Sequence, residues 1–222
     1  MKNPFPRGRL GMALLAALAI SGALGGCATM VVGAAAQGAM LAVDRRSTGA
    51  QVDDQTIELR AVTAVSSLLG DKGNVSVTSY NRVALITGEV PTEADRGAVE
   101  AAVAKIENVR AVVNELAVMP NASFTQQSND TLITGKVKAA FFDAKDLQFA
   151  SMKVVTERGV VYLMGRVTEA EATQAGNAAR SVSGVQKVVK VFEIITPAEL
   201  AAMPFPPAGA AAPKPAASAP GK

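Results

Sequence analysis

The sequence predicts an α+β protein made of two tandem α-β-β-α-β units, each a three-stranded sheet with two helices on one face. Two observations predict this class: an internal repeat, and in each copy a change from helical 3-and-4 spacing to short β-branched runs. The copies run from about 53 to 119 and from 128 to 197, and VALITGEV in the first matches VVYLMGRV in the second, with Gly88 over Gly165. Each copy is therefore expected to fold as one small domain.

The first helix of each copy is indicated by apolar residues three and four positions apart. In copy one these residues are Ile57, Ala61, Ala64, Val65 and Leu68. Asp53 or Asp54 stands where an N-cap is expected, as Asn129 or Asp130 does in copy two.

The rest of each copy reads as a hairpin, a second helix and a last strand. VSVTSY and RVALIT flank Asn81, whereas SMKVVTE and VVYLMG flank Arg158 and Gly159, and both pairs suit a β-hairpin. Thr92 and Thr168 are the expected N-caps of the second helices. A β-branched run such as VRAVVNELAV then closes the unit.

The N-terminus has the order of a secretory signal peptide. In residues 1–26 the basic stretch MKNPFPRGR precedes an apolar run and small residues. Leu24-Gly25-Gly26-Cys27 has the pattern of a bacterial lipobox, which predicts cleavage before Cys27 and its lipidation, with residues 27–52 as lipidated N-terminus and linker. The alternative is a type I signal peptide that leaves a spare thiol. Ala28, which is not Asp, favours the outer membrane over the inner membrane.

The C-terminal segment, residues 198–222, is rich in proline and alanine. Residues 200–222 hold six of the chain's 11 prolines. Such a composition cannot bury a core, so we expect a disordered tail.

The charge of the chain argues against nucleic acid as a partner. Lys2, Arg7 and Arg9 stand in the leader, which has no acidic residue, and the other 19 Lys and Arg balance 19 Asp and Glu. Copy one is formally −4, whereas residues 120–199 are formally +1. A nucleic-acid-binding protein needs a concentrated basic patch, so no nucleic-acid partner is expected.

The residue inventory excludes the common catalytic and metal sites. The chain has no histidine, and Cys27 is its only cysteine. His-based general base catalysis, Ser-His-Asp and Cys-His arrangements and the usual zinc sites are therefore absent. The sequence predicts a protein that is not an enzyme and that uses no cofactor and no metal.

The stretch DTLITGKVKAAFFDA (130–144) divides into two faces when its residues are placed 100° apart. Ile133, Val137, Ala140, Phe141 and Ala144 form the core stripe. Phe141 takes the place of Val65 in copy one, so we expect it to be buried. Phe142 lies largely outside the stripe with Leu132 and Lys136, and Lys138 lies at its far flank. Such a face suits a lipid surface, although Phe142 folded over a sheet edge beside solvated lysines is the alternative.

These phrases together resemble the BON domain family. The φ-φ-G-x-V turn, the V-x-x-V-x strand and the phrase SNDTLITGKVKAAFFDA carry the resemblance, which covers nearly all of residues 27–197. The resemblance implies a dual-BON outer-membrane lipoprotein, held by its lipid anchor and facing the periplasm. It also implies enrichment at the division site and support of envelope integrity.

The resemblance further implies that the first helix of the second domain binds anionic phospholipid such as phosphatidylglycerol or cardiolipin. The residues expected to take part are Leu132, Ile133, Lys136, Val137, Lys138 and Phe142. The family often has Trp where Leu132 stands, and Leu lacks the interfacial preference of Trp.

Two other function classes stay open from sequence. The acidic first domain or an exposed sheet edge suits a periplasmic protein–protein scaffold or chaperone that docks the outer-membrane assembly machinery. A soluble stress-induced chaperone of the same family is the third class, which the lipobox disfavours.

Overall fold

The structure, a computed structural model, describes residues 44–144 and 147–203. The predicted signal peptide and Cys27 lie outside the described residues, as do most of the predicted linker and most of the predicted tail.

The described chain contains two copies of one unit and a short terminal helix. Copy one comprises α1 (Thr48–Leu69), β1 (Asn74–Tyr80), β2 (Val83–Val90), α2 (Glu93–Ala104) and β3 (Ala111–Val118). Copy two comprises α3 (Phe124–Asp143), β4 (Met152–Glu157), β5 (Val160–Val167), α4 (Glu169–Arg180) and β6 (Lys187–Ile194), with a 3-10 turn at Phe149–Ser151 before β4. The helix α5 (Pro197–Ala201) follows. This order confirms the predicted α-β-β-α-β units.

Each copy has its own three-stranded sheet with the order β1-β2-β3 or β4-β5-β6. The first two strands form an antiparallel hairpin. The third strand pairs in parallel with the second, and the chain between these two strands forms the second helix. Both hairpin turns have positive φ at their two central residues, 49° and 66° at Asn81 and Arg82, and 51° and 73° at Arg158 and Gly159. That is the type I′ geometry that two-residue hairpins favour, so both predicted hairpins are confirmed.

The predicted caps hold for the second helix of each copy and fail for the first. The side chains of Thr92 and Thr168 accept from the backbone N–H groups of α2 and α4, as expected. Ser47 and Ser123 cap the first helices, because these helices begin about two turns earlier than the apolar periodicity indicated. The cap interpretation of Asp53, Asp54, Asn129 and Asp130 is therefore wrong.

In each copy the two helices pack on one face of the sheet and enclose a separate core. Copy one buries Ile57, Ala61 and Val65 of α1 against Val99 and Val103 of α2 and the strands. The predicted core stripe of α1 is correct except at its end. Leu68 is 49% exposed, whereas Leu69, one residue later, is 4% exposed. The helix continues for a full turn beyond Val65, and its i+4 position points at the sheet there.

The other faces of the two sheets are buried against each other. Side chains alternate between the faces of a strand, so Leu85 and Met164 point away from the helices of their own copies. With Tyr80 and Tyr162 they form a third apolar cluster that joins the copies. This sheet-to-sheet contact is called the seam below.

Ion pairs cross the seam around that cluster. The nitrogen–oxygen distances are 2.7–2.8 Å in the pairs Arg158–Glu89, Lys153–Glu58 and Arg110–Glu193. The Glu89 side chain is fully buried and also accepts from the backbone N–H of Ala122. The copies are therefore joined by both apolar and charged contacts.

Candidate functional site

The helix α3 carries the residues that the sequence predicts to be functional. It begins with a capping box, in which Ser123 accepts from the Gln126 backbone N–H and the Gln126 side chain accepts from the Ser123 backbone N–H. The helix buries Ile133, Val137 and Phe141 in the core of copy two. These contacts determine which side of α3 faces outward.

The predicted site residues divide between the two sides of α3. Leu132 is 63% exposed and Phe142 is 73% exposed, and both lysines are exposed. Ile133 and Val137 are buried in the core, so their inclusion among the lipid-contacting residues is corrected: their side chains pack against the sheet and hold the helix in place. Phe141, expected to be buried, is 1% exposed.

The outward side of α3 has a small and apolar centre between two cations. Viewed down the helix axis, Lys136 lies about 40° beyond one edge of this apolar centre and Lys138 about 40° beyond the other. In residues 132–143, four residues lie within about 80° of one another on that side: Leu132, Gly135, Ala139 and Phe142. The exposed Phe124 lies on the same side at the helix start. Leu132 and Phe142 are separated by about 15 Å along the helix axis, so the face extends over most of three turns.

The charge of this face is weakly positive. Within the described part of the chain, neither Lys136 nor Lys138 makes an ion pair. Asp143 is exposed on the same side and offsets one of them. The two ammonium groups are therefore available to an anionic partner, although the face as a whole holds a formal charge of only +1.

A cleft of about 340 Å³ lies beside the first half of this face. Its lining combines two apolar residues, three charged residues and several uncharged polar groups. The apolar and charged residues are Leu132, Ile133, Lys136, Asp130 and Arg158. The wall at Gly184 has φ 98°, and a Cβ there would stand 3.1 Å from the Ile133 side chain, so the wall needs a glycine to lie this close to α3.

An aromatic pair lies at the other end of the face. The rings of Phe142 and Phe149 meet edge to face with centroids 5.7 Å apart. Phe149 precedes β4 in the 3-10 turn, and it is partly exposed. Sequence analysis did not include Phe149 in the site. Phe149 lies outside the long helices, so no helical periodicity could predict which way its side chain points.

Two aspartates predicted to be helix caps bind the hairpin turns instead. Asp54 accepts from the backbone N–H groups of Asn81 and Arg82, and Asp130 accepts from those of Arg158 and Gly159. Burial, followed by the charges of Glu89 and Asp130, raises the pKa of Glu157 to about 7.

The described residues lack two features that would point to other functions. No group of three or more His, Cys, Asp or Glu side chains there could hold a metal ion. None of the helices described is long and apolar enough to cross a membrane.

A second apolar surface lies on α1 of copy one. Val52, Leu59 and Val62 are all more than half exposed. At 100° per residue they share one side of the helix, within about 80°. The positions that flank this surface hold Thr56 and Glu58, where α3 has lysines, and the nearby Arg60 is paired with Glu107 at 2.9 Å. The two first helices therefore differ in what they present.

Comparison with known proteins gives a consistent family. The family model described as BON domain matches residues 51–120 and 129–196. The chain is 38% identical over 174 residues to "Outer membrane lipoprotein DolP" of Haemophilus influenzae, covering 78% of this chain and 90% of that protein. It is 33% identical over 155 residues to "21 kDa hemolysin" of Actinobacillus pleuropneumoniae, covering 69% and 80%.

A solved structure is similar only at low score. The C-terminal domain of CdsD, a structural protein of the type III secretion system of Chlamydia trachomatis, aligns with 61% of this chain and 97% of that chain. The TM-score is 0.27 and the identity is 9%. A similarity at this level supports no statement about function.

Proposed function

This chain belongs to the BON domain family, and from that premise we propose that it is a non-catalytic outer-membrane lipoprotein that binds anionic phospholipid through α3. Lipid attached to Cys27 anchors it, and the folded units face the periplasm. Phosphatidylglycerol and cardiolipin are the proposed lipids. Enrichment at the division site and support of envelope integrity follow as further parts of the proposal.

The outward face of α3 carries this proposal. Leu132 and Phe142 are exposed on the outward side of α3, as is Phe124 at the helix start. The two flanking lysines make no ion pair within the described residues. Burying a large apolar side chain contributes roughly 1.5–3 kcal/mol, and each cation near an anionic surface contributes about 1 kcal/mol. Apolar side chains between ammonium groups therefore suit a surface in which phosphates lie above acyl chains.

Binding through α3 alone is expected to be weak, and the anchor compensates for this. Few side chains take part, and association costs several kcal/mol of translational and rotational freedom. An anchor that keeps the protein at the membrane turns the second contact into an intramolecular one, which raises its effective concentration. Two acyl chains or more provide that anchor.

Vesicle co-flotation of a Cys27→Ala protein that begins at residue 27, without the leader, tests lipid binding without the anchor. We expect it to float with vesicles of phosphatidylglycerol or cardiolipin and not with phosphatidylcholine. Equal flotation with both kinds would overturn the proposed preference for anionic lipid.

The site assignment has a matched control in the repeat. Leu132→Glu with Lys136→Glu should abolish flotation, because both changes oppose an anionic apolar surface. Thr56→Glu with Arg60→Glu places the same charges at the equivalent positions of α1 and should leave flotation intact. If both double variants float as the parent does, α3 is not the binding site.

A protein partner is the second candidate function, and the apolar surface of α1 favours it. Val52, Leu59 and Val62 form an exposed strip without flanking free cations, which suits a protein surface better than an anionic bilayer. The proposed partner is a component of the outer-membrane assembly machinery. A photo-crosslinker at Leu59 should capture such a component in intact cells, and one at exposed Ala101 of α2 serves as control. Equal capture from both positions counts against this role.

A further inference from the structure

The first described residues of the chain form a strap across the two copies. Arg45 is almost fully buried, and its guanidinium donates to both carboxylate oxygens of Glu171 at 2.6 and 2.8 Å. It also donates to the backbone oxygen of Arg166 at 2.8 Å, and Arg166 donates back to the Arg45 backbone oxygen at 3.0 Å. The chain at Arg45 is thus bound to copy two before copy one begins.

The next residue binds copy one. Arg46 donates to Asp54 at 2.7 Å, and its guanidinium carbon stands 4.4 Å from the centroid of the Tyr80 ring. Asp44 accepts from the Arg46 side chain at 2.6 Å. Residues 44–46, called the strap below, therefore bind both copies at the seam.

The strap lies at the same end of copy two as the aromatic pair of α3. Tyr80, beneath Arg46, donates from its hydroxyl to the backbone oxygen of Ser151 at 2.8 Å. Ser151 is in the same 3-10 turn as Phe149, whose ring meets that of Phe142. A short series of direct contacts thus joins the strap to the apolar end of the candidate lipid-binding face.

We propose that Arg45 and Arg46 are positioning residues that fix where the lipid-anchored segment meets the folded units, at the end of copy two that carries Phe142 and Phe149. The inference rests on the proposed function and adds an element to it. The strap makes the anchor and the apolar end of α3 approach one membrane together.

The covalent connection makes this position important. Seventeen peptide units separate Cys27 from Asp44, a distance of no more than about 60 Å even when fully extended. Where this segment joins the folded part therefore limits which surfaces can reach the membrane. Without the Arg45 contacts, the first held residue would be Arg46, which binds Asp54 and Tyr80 in copy one. Effective concentration at α3 falls when the attachment point moves away.

The strap is separable from the fold of α4, which makes it testable. Glu171 also accepts from the Thr168 backbone N–H in a capping box, and that contact does not need Arg45. Arg45→Ala should therefore leave α4 capped. Arg60→Ala, which removes the exposed ion pair with Glu107, is the matched control for loss of an arginine.

Spin labels test whether the strap holds the chain. Labels would be attached at Asp44→Cys and Lys187→Cys in the lipidated protein, where the Cys27 thiol is blocked by lipid. We expect a narrow distance distribution that broadens in Arg45→Ala, recovers in part in Arg45→Lys and stays narrow in Arg60→Ala. A distribution that Arg45→Ala leaves unchanged would overturn the strap.

A tryptophan probe tests its effect at the membrane. The chain has no Trp, so Phe142→Trp reports alone on quenching by brominated anionic lipid. In the lipidated protein, Arg45→Ala should cause a measurable loss of quenching. In the Cys27→Ala protein, Arg45→Ala should leave vesicle binding unchanged, because no anchor is present to be directed.

The outcomes separate the two proposals. Equal quenching with and without Arg45 in the lipidated protein overturns the positioning role, as does an equal loss of binding in the lipidated and Cys27→Ala proteins, which marks a structural defect. If Trp at position 142 is unquenched in every protein while the label distances respond to Arg45, the proposed lipid binding fails and the membrane role of the strap falls with it.

Discussion

Asp130 accepts a hydrogen bond from the backbone N–H of Gly159 at 2.8 Å, which joins the middle of α3 to the hairpin turn between β4 and β5. Its other oxygen accepts from the Arg158 backbone N–H at 2.8 Å. In copy one Asp54 binds the turn between β1 and β2 in the same way, at 2.7 Å to both N–H groups. An aspartate inside the first helix thus secures a type I′ turn in both copies.

Asp130→Ala should destabilise the protein by about 2–4 kcal/mol. The change leaves two backbone N–H groups without their acceptor, and each unmet buried group costs roughly 1–3 kcal/mol. Urea unfolding followed by circular dichroism measures the loss. Asp71→Ala, at an exposed position, should change the unfolding free energy by less than about 0.5 kcal/mol. Similar losses in both variants would contradict the role of Asp130.

Arg158→Ala should destabilise the seam by about 2–5 kcal/mol, because it leaves the buried Glu89 carboxylate without its cation. Glu89 keeps its contacts with Asn74 and the Ala122 backbone N–H, which cannot supply a positive charge. Arg60→Ala breaks an exposed ion pair and should cost no more than about 1 kcal/mol. The unfolding free energies of the two variants are compared. Equal values would show that the ion pair across the seam contributes no more stability than an exposed pair.

Stability should fall as pH rises from about 4.5 to 7 because of Glu157. Burial, then Glu89 and Asp130, raises its pKa from 4.5 to about 7, so the folded state keeps a proton that the unfolded state releases in this range. Fewer protons bound to the unfolded state means a negative slope of unfolding free energy with pH. Above pH 7 both states are ionised at this position and its contribution levels off.

Glu157→Gln should remove this slope. Chemical unfolding of parent and variant at several pH values gives the difference in stability, which should widen in favour of the variant from pH 4.5 to 7. The carboxyl groups of Glu171 and Glu193 have lowered pKa values, so their stabilising effect is lost only below about pH 4.5 and does not mask the result. A difference that is constant with pH would contradict the assignment.

The adjacent phenylalanines of α3 should respond differently to substitution. Phe141→Ala opens a cavity in the core of copy two and should cost about 3–5 kcal/mol of stability. Phe142→Ala removes an exposed ring with one edge contact to Phe149 and should cost no more than about 1.5 kcal/mol.

Vesicle flotation should separate the same two variants in the opposite order. Folded Phe142→Ala should bind anionic vesicles more weakly than the parent, because it loses apolar surface on the outward face. Phe141→Ala, measured where it is still folded, should bind as the parent does. A Phe142→Ala protein with unchanged flotation would remove that residue from the proposed lipid contact.

Much of the fold and part of the site could be predicted from sequence because they depend on local periodicity. The repeat indicated two similar units, and alternation and helical spacing identified the hairpins and the buried stripe with Phe141. The same spacing placed Phe142 and Leu132 outside that stripe, where they are exposed. Ile133 and Val137 were included in the site although their positions on the helix already put them in the core.

The sequence by itself determined most of the residues that each copy buries, because a helix or strand has a fixed period that the side chains either match or do not. Tertiary structure decided the use of the polar groups. Asp130 is a residue type that often caps helices, but here its carboxylate accepts hydrogen bonds from the hairpin turn that packs over it. Glu89 and Arg158 meet only because two sheets are stacked, and Arg45 reaches Glu171 across 126 positions. Such contacts depend on how whole units pack, and no local pattern in the chain predicts contacts between residues so far apart in sequence.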